Sequence, residues 1–158
     1  MALTAPQKAL ILADINADPA LSVLPINDDA CFEIANIYNT DTAAYFVWKS
    51  AVSVDDYKKA IVWTEVDGLT TGRARIWEWI TGQMTEPYDA SSVSVRAGLA
   101  NAWAANTETR PLLIAASKRL STRLEQLLAT GVGSDASPAN MGFEGDITYR
   151  EICNIRNI

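Results

Sequence analysis

The sequence predicts an all-α protein, an irregular bundle of about six or seven helices with a long Gly/Ser-rich loop before a short C-terminal helix. Three observations carry that expectation. Helix-capping residues recur along the whole chain, each followed by apolar residues at three- and four-residue spacing. Two of these caps, Thr4 with Gln7 and Thr148 with Glu151, have the reciprocal pattern of a capping box. No internal repeat or long heptad run orders the segments, so the bundle is irregular.

Taken in order, Thr4 opens the first helix, Pro6 fits its first turn, and Leu10, Ile11 and Ile15 continue until Pro19 stops it. An irregular stretch, Ala20 to Ile26, follows. Asn27 or Asp28 caps a second helix with Cys31, Ile34, Ala35 and Tyr38 on one side, and Asp28, Asp29 and Glu33 suit its N-terminal end. The segment from Asn39 to Ser50 fits either a short strand at Ala44–Trp48 or a helical turn, and a turn or short helix is the preferred reading. Ser53 caps a third helix with Val54, Tyr57, Ile61 and Val62 inward. Thr70 or Thr71 opens a fourth through Ile76, Trp77, Trp79 and Ile80, closed by Gly82.

Glu86-Pro87-Tyr88-Asp89 reads as a loop. Ser91 or Ser92 caps a fifth helix carrying Val95, Leu99, Ala102 and Trp103. Thr107 or Thr109 starts the longest helix, whose stripe is Leu113, Ala116, Leu120, Leu124, Leu127 and Leu128, ended by Gly131. From Gly131 to Gly145 the chain turns to Gly, Ser, Pro, Asn and Asp, a loop that is functional or poorly ordered, with Phe143 as its anchor. Ile152 and Ile155 face inward on the last helix.

The chain of 158 residues fits one domain spanning 1–158. At 49% hydrophobic and 20% charged it is globular in composition. Its early apolar run, Ala9 to Ala13, is too short to span a bilayer and lacks the flanks of a signal peptide. The expected site of synthesis and use is therefore the cytoplasm, or a particle packaged from it. In that setting Cys31 and Cys153 read as two buried free thiols, since a long-range disulfide needs an oxidising compartment.

Charge is uneven. Residues 1–67 hold ten acids and four bases, a net −6, whereas residues 68–158 hold nine of each. The acidic part would repel a phosphate backbone, so nucleic acid is not expected as the main partner, nor any direct sequence-specific binding of it. Arg110, Lys118, Arg119 and Arg123 share a segment with no acid until Glu125. They form either a solvated helix face or a dock for an acidic surface, including that of a neighbouring copy.

There is no histidine, which removes the commonest general base and the usual triads and catalytic zinc sites. Gly131-Val132-Gly133-Ser134 lacks the lysine of a phosphate loop. Asn27, Asp28, Asp29 and Glu33 do not have EF-hand spacing, and capping explains them. No cofactor or metal is expected. The best enzymatic pattern is a set of carboxylates, Glu65, Asp67 and Glu78, near Trp63, Trp77 and Trp79, as a glycosidase would need; solvated helix faces account for the same residues. Trp77 and Trp79 are two apart, so on a helix they point about 200° away from each other and one of them lies near the surface.

Several pieces of the chain together resemble a group of small tailed-bacteriophage proteins of similar length. They are Leu3-Thr4-Ala5-Pro6, Phe46-Val47-Trp48-Lys49, Ala60-Ile61-Val62-Trp63-Thr64-Glu65, Gly142-Phe143-Glu144-Gly145 and Thr148-Tyr149. The resemblance implies a virion or morphogenesis protein of the head–tail connection or tail, assembled in the host cytoplasm and not an enzyme. Its partners would be copies of itself and other virion proteins, with no membrane. Arg110, Lys118, Arg119, Arg123, Trp77 and Trp79 are the interaction residues expected on that reading. A phage-encoded inhibitor of a host protein is the alternative, and a carboxylate-dependent glycosidase the third.

Overall fold

The computed structural model describes residues 2–82 and 87–157. Among the described residues the order is α1 (Ala5–Ala17), α2 (Pro19–Ser22), α3 (Asp28–Tyr38), β1 (Asp41–Trp48), α4 (Val54–Ala60), α5 (Trp63–Val66), α6 (Thr71–Ile80), α7 (Val93–Ala102), α8 (Thr109–Ala116), β2 (Lys118–Thr122), α9 (Arg123–Leu128) and α10 (Tyr149–Arg156). β1 and β2 pair as a two-stranded antiparallel sheet. The protein is mostly helical but mixed, which corrects the all-α expectation. Of the loop read at Glu86–Asp89, Glu86 lies outside the described residues.

β1 falls where local sequence was least decisive, and β2 falls inside the stretch whose periodicity predicts the longest helix. Within the segment from Asn39 to Ser50, Asp41–Trp48 forms β1, not a helical turn. Its backbone finds partners far along the chain: the Phe46 N–H donates to the Gly133 carbonyl at 2.7 Å, and the Phe46 carbonyl accepts from the Ala139 N–H at 2.9 Å. Extended peptide groups need such partners, and these are contributed by the Gly/Ser segment. The single long helix expected from Thr107 or Thr109 to Gly131 is instead α8, β2 and α9. Ser117 ends α8, turning its hydroxyl back onto the Leu113 carbonyl, and Thr122 with Glu125 opens α9 with a fresh capping box. The leucines of the supposed stripe serve two separate cores.

The chain forms two compact units, Met1–Val47 with Leu120–Ile158 and Trp48–Arg119. In the first, α1, α3, α9 and α10 close over Ile11, Ile15, Ile34, Tyr38, Leu124, Phe143, Ile152 and Ile155. Both capping boxes anticipated at Thr4 and Thr148 are present, and Asn27 caps α3. Phe143 is buried in this core. It holds the Gly/Ser segment down together with the paired hydrogen bonds between Thr130 and Asn140 and the Gln7 side-chain amide on the Gly142 carbonyl. At Gly133 the backbone has φ +72°, and a Cβ there would lie about 2.2 Å from the Tyr45 ring, so the glycine is required.

Cys31 on α3 and Cys153 on α10 form a disulfide across 122 residues, which corrects the reading of two free thiols. These two helices pack side by side and bring the cysteine Cα atoms to 5.6 Å, within the span that a disulfide bridges. Nothing in either local sequence reveals that approach.

The second unit pairs α4 with α8 and α6 with α7. Its core is aromatic. Trp77 meets Tyr57 and Trp103 edge-on, with ring centroids 5.9 and 5.6 Å apart. α6 and α7 approach closely at Gly98, where a Cβ would lie 3.0 Å from Ile80 Cδ1.

Candidate interaction surface

The surface that stands out in the second unit is built on α6. Thr70 caps this helix, its hydroxyl accepting from the Arg73 N–H, and the helical turn then separates the two tryptophans as their spacing requires. Trp77 is 7% exposed and belongs to the aromatic core, whereas Trp79 is 82% exposed. Arg75 lies one turn before Trp79 on the same face. Together with Ile76, Ile80, Ser94 and Val95 they line an open groove of about 390 Å³. Val93, at the start of α7, is exposed nearby in sequence. The side chains of Arg73 and Arg75 are exposed and make no hydrogen bond or ion pair with the described residues. An exposed indole beside apolar side chains and the solvated guanidinium group of Arg75 is suited to a protein contact: the ring offers area at low entropy cost and the cation favours an acidic partner.

An acidic counterpart exists on the first unit. Along α3, Asp28, Asp29 and Glu33 point outward around Phe32, which is 58% exposed. Grouping charges by unit sharpens the asymmetry visible in the sequence. The first unit contains eleven acids and four bases, net −7, and the second eight acids and nine bases, net +1.

The basic segment expected to act as one stripe is divided. Arg123, on α9, is turned into its own unit, with Nη2 2.9 Å from Asp14 Oδ2 and 3.0 Å from Asp18 Oδ2. Its guanidinium also lies 5.1 Å from the centre of the Tyr38 ring, and the Tyr38 hydroxyl donates to Asp14 at 2.5 Å. Burial and the adjacent Asp14 push the Tyr38 hydroxyl pKa well up, while the Arg123 hydrogen bond leads the causes that lower the pKa of Asp18. This cluster ties α1, α3 and α9 together, so Arg123 is structural. Lys118 and Arg119 sit half-buried on β2, and Arg110 lines a cavity of the second unit. The helix expected to align all four does not exist.

Glu65 and Glu78 also separate. Glu78 is exposed on α6. Glu65 accepts from the backbone N–H groups of Glu108 and Thr109 at 2.9 and 3.0 Å. It thereby caps α8, whose own N-cap residue makes no side-chain cap. Those bonds, Thr109 foremost and then Glu108, hold its carboxyl below the usual range, the opposite of what a general acid requires. Among the described residues no group of three or more His, Cys, Asp or Glu could hold a metal ion, and no helix is long and apolar enough to cross a membrane.

Arg75 falls in a segment whose sequence pattern is dominated by its aromatic residues. The available signal was the four-residue interval from Arg75 to Trp79. Compared with family models, curated proteins and solved structures, the chain matches none of them.

Proposed function

We propose that the protein is a structural or assembly component of a tailed bacteriophage that works in multiple copies through protein–protein contact. The face around Trp79 on the second unit of one subunit receives the acidic α3 face of the next. The observation that carries this reading is the solvent-exposed Trp79 beside Arg75, whose side chain makes no hydrogen bond or ion pair with the described residues, in a chain whose charge is segregated by unit. Two different complementary patches on one subunit make a heterologous contact, which repeats head to tail and closes into a ring when the rotation allows. Glu78 lies on the same helix, three residues from Arg75, and is exposed, so it offsets much of the local charge, and apolar area from Trp79, Ile76 and Phe32 supplies most of the attraction.

The resemblance carried by Leu3–Pro6, Phe46–Lys49, Ala60–Glu65, Gly142–Gly145 and Thr148-Tyr149 supports placing these contacts in a phage particle. The disulfide is compatible with that setting, because a virion leaves the reducing cytoplasm in which it is assembled. Mass spectrometry of purified particles, with copy-number determination, tests the placement. Stoichiometric presence at several copies per particle is expected. Abundance in infected cells with absence from particles would overturn it and favour an inhibitor of a host protein.

A further inference from the structure

The second unit contains a recessed cavity of about 190 Å³ lined by Trp48, Tyr88, Leu99, Arg110 and Ile114, among others. Most of its wall is carbon, and two arginines, Arg96 and Arg110, are among its lining. Arg96 is fixed in place: its Nη1 donates to the carbonyls of Ala90 and Ser91 at 2.7 Å each, and its Cζ lies 4.7 Å from the centre of the Trp48 ring. Burial pushes the Arg96 pKa down, the mark of a cation partly withdrawn from water. Arg110 differs. It is half-buried, yet its side chain makes no hydrogen bond or ion pair with the described residues. The remaining polar groups of the lining satisfy one another, since the Tyr88 and Ser117 hydroxyls are hydrogen-bonded together and Ser117 donates to the Leu113 carbonyl.

A half-buried arginine whose guanidinium has no partner among the described residues, at a carbon-lined cavity, is an arrangement that an anion would complete. The forked geometry of Arg110 matches a carboxylate, to which it can donate two parallel hydrogen bonds. An inorganic phosphate would leave the apolar wall uncovered and would find few donors for its other oxygens. Size narrows the choice further, because a cavity of about 150 Å³ is known to accommodate a benzene-sized body. We infer that this cavity is a binding site for a small monocarboxylate with a compact apolar body, the carboxylate seated on Arg110 and the body against Trp48, Leu99 and Ile114.

Isothermal titration calorimetry on the full chain tests this with benzoate, its neutral counterpart benzamide, and inorganic phosphate. Benzoate is expected to bind at least tenfold more tightly than either of the others. Arg110→Gln should weaken benzoate at least tenfold and leave benzamide unchanged, while Arg110→Lys should recover part of the loss. Ala100→Leu, which fills the cavity without touching the cation, should abolish benzoate binding and provides the test if Arg110→Gln does not fold. The inference is overturned if no probe binds, if benzamide binds as well as benzoate, or if benzoate binds the Gln or Leu variant as it binds the wild type.

Discussion

At the scale of single residues, two buried polar atoms of the second unit, the Tyr57 hydroxyl and the Trp103 indole N–H, have no hydrogen-bond partner among the described residues. Both lie in the aromatic core around Trp77, and burial raises the Tyr57 pKa. A buried hydroxyl without a partner carries its desolvation cost uncompensated. Tyr57→Phe keeps the ring contacts and removes that cost, so it should leave stability unchanged or raise it by about 1 kcal/mol in urea unfolding. A loss larger than about 1 kcal/mol would show that the hydroxyl has a partner. Glu65 makes the opposite case. Its carboxyl is held below its ordinary value of 4.5 by the α8 backbone N–H groups, so the native state favours the ionised form. That contribution is complete above the ordinary value and disappears as pH falls through the lowered one. Glu65→Gln should therefore lower the melting temperature at pH 7, with the difference from wild type shrinking towards about pH 3. An equal difference at both pH values would refute the capping role.

At the scale of elements, the clearest dependence is of α3 and α10 on their disulfide. The bridge closes 122 residues, and cross-links over loops of that order typically contribute about 2–5 kcal/mol. Reduction, or replacement of Cys31 and Cys153 by alanine, should shift the urea midpoint of the first unit downward by a corresponding amount. An unchanged midpoint would mean that packing of α3 on α10 alone sets their stability. What the sequence could and could not reveal about elements follows the reach of the interactions. Caps act within three residues, and those at Thr4, Ser53 and Thr148, together with Asn27, Thr70 and Ser92 among the options weighed, are where the reading put them. β1 depends on Gly133 and Ala139, so nothing near residue 46 could decide it. The break between α8 and α9 was legible in principle, since Thr122 and Glu125 have capping-box spacing, but the leucine stripe running through it outweighed that signal. Periodicity alone does not distinguish one helix serving one core from two helices serving two.

At the scale of the whole molecule, the sequence already showed an acidic N-terminal part and a local basic excess. It could not show which charges share a unit. The chain enters the first unit, leaves it at Val47 and returns at Leu120, which gathers the acids of both ends into that unit and moves Arg123 away from the other bases. The basic residue proposed to meet an acidic surface thus passes from the 110–123 segment to Arg75 on α6. The exposure of one of the pair Trp77 and Trp79 was legible because helical geometry demands it; which one depended on where Tyr57 and Trp103 lie.

The central claim is head-to-tail contact between the Trp79 face and the acidic face of a second copy. Analytical ultracentrifugation of the purified chain, at low ionic strength and at about 0.5 M salt, tests it most directly, since screening shortens the reach of exposed charges. The wild type is expected to sediment as oligomers that dissociate with salt. Trp79→Ala and Arg75→Glu should each weaken association at least about tenfold, as loss of an interface anchor does. A wild type that remains monomeric at every concentration, or variants that associate as the wild type does, would contradict the claim.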